Sequence, residues 1–168
     1  REDAPDLVFP EVALGMSVNR FYTKTDDPWK FSKLQDLHGR RLGLVQGYIY
    51  PEFQSYIEAN QDHITFVKGR LPMERLLKML AGARIDTIFD DQNVVGYVAR
   101  EQGASSHIRA SGSFDVQNEV VVGLTPHDPN TLQLIRILEK GIIDMRRSGG
   151  LQKILDRYGM RDWQDVEP

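Results

Sequence analysis

The chain has 168 residues, 40% hydrophobic and 27% charged, a composition that supports folded cores in one large domain or two small lobes. Its 21 basic and 24 acidic side chains leave a formal net charge of −3, which argues against the broad basic field that nucleic acid or an anionic membrane would require. Cysteine is absent, so disulfides, thiolate metal sites and cysteine nucleophiles are excluded together, and no apolar run reaches the roughly 20 residues that cross a bilayer. The sequence reads as soluble, without direct membrane insertion. The start, Arg1-Glu2-Asp3, carries no charged-then-apolar export signal, so export requires a leader upstream of it.

Residues 12–22 (VALGMSVNRFY) mix apolar and polar side chains at near period two and predict a strand. Asp26-Asp27-Pro28 is turn chemistry, and residues 33–39 (KLQDLHG) predict a short helical turn stopped by glycine. Residues 41–46 (RLGLVQ) form a compact apolar strand ending at Gly47. From Pro51 the pattern becomes helical, because proline suits the first helical position and Phe53, Tyr56 and Ile57 share a face. Residues 64–68 (ITFVK) predict the next strand, followed behind Pro72 by Met73, Leu76, Leu77 and Leu80 at helical spacing. Residues 85–89 (IDTIF) predict a third strand, which ends in Asp90-Asp91 and leads to a helix through Val94, Val95 and Val98. This β-α-β-α order argues for a mainly parallel sheet covered by helices. Residues 120–124 (VVVGL) predict a further strand, and the tail is helical, with stripes at Leu132, Ile135, Leu138, Ile142 and at Leu151, Ile154, Leu155, Tyr158 across the Gly149-Gly150 break.

Two places could carry chemistry. At the junction Gln46-Gly47-Tyr48-Ile49-Tyr50-Pro51 a glycine-ended strand feeds a helix, where unpaired backbone N–H groups can receive a carboxylate or phosphate. The alternative is an ordinary βα turn whose donors face water. Asp90 and Asp91 end the third strand at the edge where open α/β sheets bind ligands. An acid there can hold an ammonium group, bind a metal, or cap the following helix; Asp90 is read as a cap or as part of a solvated face, while Asp91 stays open. Taken together, the glycine turn and Asp91 match the two charges of an amino acid. His38, His63, His107 and His127 lie in separate predicted turns without metal-ligand spacing, so no metal site is expected. No nucleophile motif or serine–histidine–acid set occurs, so no catalytic residue is assigned. Trp29 and Trp163 are read as packing anchors.

Several segments, in order, resemble the family 3 extracellular solute-binding proteins, the polar amino-acid receptors of ABC importers. Arg1 followed by Phe9-Pro10 is similar to the segment leading into that family's first interlobe strand. Residues 37–47 (LHGRRLGLVQG) resemble the opening of its second lobe, and residues 80–91 (LAGARIDTIFDD) its L-x-x-G-x-x-D-a-x-x-x-D pattern. Residues 141–149 (GIIDMRRSG) and Tyr158-Gly159 resemble its close. The resemblance implies that Asp91 binds the α-ammonium of a ligand and that the backbone after Gly47, at Tyr48 and Ile49, binds its α-carboxylate; Gly47 and Tyr50 complete the expected ligand-binding set. At this turn the sequence carries Tyr48 and Ile49 where amino-acid binders commonly have two small hydroxyl residues.

The implied fold is α/β and periplasmic-binding-protein-like: two α/β lobes joined by two crossover strands near residues 19–23 and 120–124. Lobe two would span 25–120 with its hinge segments. Residues 1–24 and 121–168 would form a partial lobe one, whose usual opening β-α-β segment with its carboxylate-binding arginine is not in this sequence. The implied function is a periplasmic, non-enzymatic receptor without cofactor. It would close on a small polar ligand, an amino acid, related zwitterion or small organic anion, and deliver it to the membrane subunits of an ABC importer. The alternatives are a ligand-sensing domain of a membrane-bound signalling protein, or a dehydratase-like enzyme on the same fold.

Overall fold

The computed structural model describes residues 4–165. Their contacts divide the chain into two units, Val18–Val116 on the one hand and Arg1–Ser17 with Gln117–Pro168 on the other. Arg1, the first residue of the family-like pattern, lies outside the described residues.

The Val18–Val116 unit is built on a sheet whose strands β1 (Gly15–Lys24), β2 (Leu42–Val45), β3 (Ile64–Val67), β4 (Thr87–Asp91) and β5 (Ile108–Gly112) lie in the order β3-β2-β4-β1-β5. β2 is parallel to β3 and β4, whereas β1 is antiparallel to β4 and to β5. Four strands therefore run one way and β1 is reversed between two of them. The parallel set arises as the β-α-β spacing dictates, with α1 (Gln54–Ala59), α2 (Pro72–Ala81) and α3 (Gln92–Glu101) in the crossovers. β5 was not foreseen from sequence. Its Ile-Arg-Ala-Ser-Gly carries little β-former signal, and it is held by ladder pairing to β1 and by a buried hydroxyl pair, Thr23 with Ser111 at 2.8 Å.

Alternation along the strands sends side chains to two cores. On one face Met73, Leu76, Leu77 and Leu80 of α2 and Val95 and Ala99 of α3 pack with Tyr22, Val45, Val67 and Ile88. On the other, Phe21, Leu42, Leu44 and Phe89 join Phe31, Leu37, Tyr50, Phe53 and Ile57. Leu44, Leu76 and Leu80 are fully buried, each contributing about 1.5–3 kcal/mol by leaving water. Gly43 permits the close approach of α2 to β2, since a Cβ there would stand 2.5 Å from Ile85 Cδ1 and 2.7 Å from Leu76 Cδ2. The strand starts are tied by Arg41, whose Nε and Nη2 donate to the Asp86 carboxylate at 3.0 and 2.6 Å. Trp29 is a packing anchor as expected, with Nε1 donating to the Asp36 carbonyl and the Arg40 guanidinium over its ring.

The other unit contains β6 (Gln117–Val120) and helices α4 (Thr131–Arg147) and α5 (Gly150–Arg157). The strand expected at 120–124 is thus displaced. β6 ends at Val120, and beyond it Leu124 makes a single bridge with Val8, exchanging hydrogen bonds of 2.8 and 2.9 Å. Gly123 permits the close approach of this segment to the 7–9 stretch, since a Cβ there would sit 2.8 Å from both Leu7 and Phe9. In α4, Ile135 and Ile142 are buried but Leu132 is 64% exposed, so the predicted stripe is only partly covered. Gly149, at φ +70°, makes the break between α4 and α5. Arg146 organises this unit: Nε donates to buried Asp162 at 2.7 Å, Nη2 to the Ala13 carbonyl at 3.0 Å, and its guanidinium lies over Trp163. Among the described residues no helix is long and apolar enough to cross a membrane.

Candidate ligand-binding site

Parallel strands β2 and β4 are neighbours, aligned Leu42 with Thr87 and Gly43 with Ile88. Continuing that register brings Val45 and Gln46 level with Asp90 and Asp91, so the glycine turn after β2 and the acidic pair closing β4 share the carboxyl-end edge of one sheet. This is the edge at which open α/β sheets bind ligands.

The turn is set by Gly47, whose φ of +92° favours glycine. No neighbouring atom crowds a Cβ there, so the requirement is one of backbone conformation and not of space. Tyr48 and Ile49 follow with their side chains exposed, 56% and 85%. Tyr50 goes elsewhere. It is buried in the aromatic core, its hydroxyl donating to the Val45 carbonyl at 3.1 Å and receiving the Val45 N–H at 3.0 Å. Burial pushes the Tyr50 hydroxyl pKa well up, with the nearby Asp90 charge adding to the rise. The side chain of Tyr50 therefore braces the turn from beneath. The helix after the turn begins as a 3-10 segment, Pro51–Phe53, and α1 is six residues long, a weaker helix N-terminus than the sequence led one to expect.

Asp91 is the N-cap of α3. Its Oδ1 accepts the N–H of Asn93 at 2.7 Å and of Val94 at 3.2 Å, while Oδ2 accepts the N–H of Val18 on β1 at 3.1 Å. The capping role read for Asp90 thus falls to Asp91, because β4 runs two residues further than expected and Asp91 stands at the strand–helix boundary. Asp91 is half-buried, its carboxylate fixed by three backbone donors and aligned with the helix start.

Asp90 is the deeper of the two, 4% exposed, so it does not lie on a solvated face as one reading of the sequence had it. Oδ1 accepts the Asp91 N–H at 2.7 Å, and Oδ2 is buried with no hydrogen-bond partner among the described residues. Burial pushes the Asp90 pKa up to about 6, and the Asp91 charge adds to the rise against the pull of the Asp91 N–H. Arg20 is its cross-strand partner in β1, with Nε donating to Gln92 Oε1 at 2.9 Å. Val18, Arg20 and Gln92 were not foreseen as neighbours of the acidic pair; the signal was the β1–β4 register, which a single sequence does not fix. The four histidines are exposed, and the described residues contain no group of three His, Asp or Glu able to hold a metal ion.

No family model and no curated protein matches the chain. Solved structures do. A histidine kinase sensor domain with similarity to periplasmic binding proteins superposes with a TM-score of 0.65 at 16% identity, over 96% of this chain and 67% of that one. The chain has a periplasmic-binding-protein-like fold. The same fold is matched in the GluR0 ligand-binding core from Nostoc punctiforme in complex with L-glutamate, with a TM-score of 0.63 at 17% identity, over 95% of this chain and 68% of that one. The amino acid ABC transporter substrate-binding protein AbpA from Streptococcus pneumoniae, bound to L-arginine, is similar with a TM-score of 0.64 at 13% identity, over 94% and 62%. This periplasmic-binding-protein-like chain accordingly spans 62% to 68% of the length of these relatives. The fold expected from the sequence is the one found.

Proposed function

We propose that the chain is the ligand-binding part of a solute receptor that takes a small polar molecule at the edge formed by residues 47–49 and Asp91. The ligand is an amino acid or related zwitterion, with a small organic anion as the lesser variant. Asp91 is the countercharge for its ammonium group, and the backbone at Gly47, Tyr48 and Ile49, with that of Tyr50, receives its carboxylate. The observation that carries this reading is the sharing of one sheet edge by an exposed, glycine-set turn and a carboxylate held rigid by three backbone N–H groups. The complexes of similar structures with L-glutamate and L-arginine support the ligand class.

In this reading the protein acts on the periplasmic side, hands its ligand unchanged to the membrane subunits of an ABC importer, and uses no cofactor. A second role for the same site, sensing in a membrane-bound signalling protein, is favoured by the likeness to a histidine kinase sensor domain. A thermal-shift screen of the twenty amino acids and small organic anions tests the ligand class, since a ligand that binds only the folded state raises the melting temperature. A hit recovered chemically intact by NMR supports a receptor. No hit, or turnover of the bound compound, contradicts it.

A further inference from the structure

Asp90 is a charged residue type placed where water cannot reach it, with one oxygen holding the peptide of Asp91 and the other without a partner among the described residues. A buried, unpaired carboxylate oxygen is unfavourable, and structural needs alone are better met by an asparagine or an apolar residue. Among the described residues no ion pair is formed that neutralises it. Arg20 stands opposite in the ladder with its Nε directed to Gln92, Tyr22 on β1 and Tyr50 beside β2 are hydroxyls with raised pKa values, and Asp91 carries the same sign of charge. Tyr22 is pushed up to about 12, first by its burial, with Asp91 and Asp90 adding to the rise and Arg20 opposing it. What Asp90 touches directly is Asp91, the acid at the proposed ammonium position.

We propose that Asp90 is the positioning residue of that acid: it orients Asp91 through the Asp91 peptide N–H, and its own charge state sets how strongly the site attracts a cationic ligand group. When Asp90 holds a proton the pair carries the charge of Asp91 alone. When it loses the proton a second negative charge stands one residue away, in a low-dielectric setting where such a charge acts strongly. A ligand ammonium then favours the deprotonated pair, so affinity for cation-bearing ligands rises with pH through the range in which Asp90 titrates. The inference rests on the proposed function for the identity of the ligand, but not for the Asp90–Asp91 coupling itself.

The test has a ligand-free part and a ligand part. In NMR titrations of the full chain, the Asp91 amide shift should follow an ionisation centred near pH 6, and the Asp90→Asn variant should abolish it. An Asp91 amide that does not titrate between pH 4 and 8 overturns the proposal. Calorimetry with L-arginine and L-glutamate at about pH 5 and pH 7.5 should show affinity increasing about tenfold with pH in the parent and staying flat in Asp90→Asn, a one-unit linkage. A rise that survives unchanged in Asp90→Asn, which keeps all four histidines, also overturns it. If neither amino acid binds at any pH while the Asp91 amide titrates and loses that response in the variant, the coupling stands and the amino-acid reading fails.

Discussion

Asp91 Oδ2 accepts the backbone N–H of Val18 at 3.1 Å, joining the end of β4 to β1 across 73 residues of sequence, while Oδ1 of the same carboxylate caps α3. The acid proposed to meet the ligand is thus also a structural joint. Asp91→Ala should lower stability by about 1–3 kcal/mol through loss of the cap and of the strand contact. Asp91→Asn keeps one oxygen for the cap but turns an amide –NH2 toward the Val18 N–H, so it should lose the strand contact alone and cost less than alanine, about 1–2 kcal/mol. Urea denaturation of both variants checks the difference; equal large losses would show that charge, not capping geometry, holds the joint.

Asp90 makes stability depend on pH in a defined direction. Its folded pKa, about 6, lies above the ordinary 3.8, so its contribution is fully present below about pH 4 and is lost as pH rises through about 6. By pH 7 the buried charge costs about 2–3 kcal/mol, and Asp90→Asn, after the penalty of an imperfectly paired amide, should be more stable by about 1–2 kcal/mol. Denaturation from pH 4 to 7 should show a downward slope in the parent that is reduced in the variant. A variant destabilised at pH 7 would contradict the assignment.

Two glycines separate conformation from space. Gly47→Ala places a side chain at φ +92° with nothing nearby, a cost of about 1–2 kcal/mol from the backbone alone. Gly112, at φ +136°, would bring a Cβ to 2.3 Å from the Phe31 carbonyl oxygen, so Gly112→Ala must also displace backbone and should cost about 3 kcal/mol or more. Comparable denaturation midpoints for the two would refute this distinction.

Arg146 and Asp162 form a buried pair, their side chains 12% and 4% exposed. Arg146→Met leaves the Asp162 carboxylate buried without its guanidinium and should destabilise the unit holding α4 and α5 by about 3–5 kcal/mol. Amide exchange resolves this by place: faster exchange is expected in α4 and α5, with little change in β2 and β4.

Much of the fold was legible because its central elements announce themselves locally. Residues 41–46 and 64–68 read as strands from their apolar runs, and Met73, Leu76, Leu77 and Leu80 gave α2 by spacing, each then found buried. β5 was not legible, since Arg109, Ala110, Ser111 and Gly112 carry no strand signal apart from their partner β1. In the candidate site, the glycine turn and the acidic pair were legible at residue level, but the division of labour between Asp90 and Asp91 was not. That division depends on β4 ending at residue 91 instead of 89, a boundary set by the ladder with β1. Tyr50, taken from sequence as part of the ligand turn, shows the same limit: only the packed structure sends its ring inward to Val45.

The edge shared by residues 47–49 and Asp91 is proposed to bind a ligand ammonium through Asp91. Isothermal titration calorimetry of the amino acid found by screening, against the parent chain and Asp91→Asn, tests it most directly. Because the substitution keeps a capping oxygen but removes the charge, the fold should survive the loss of the Val18 contact while binding weakens by about 1.5–3 kcal/mol, roughly tenfold to a hundredfold. Equal affinity in the two proteins would contradict it.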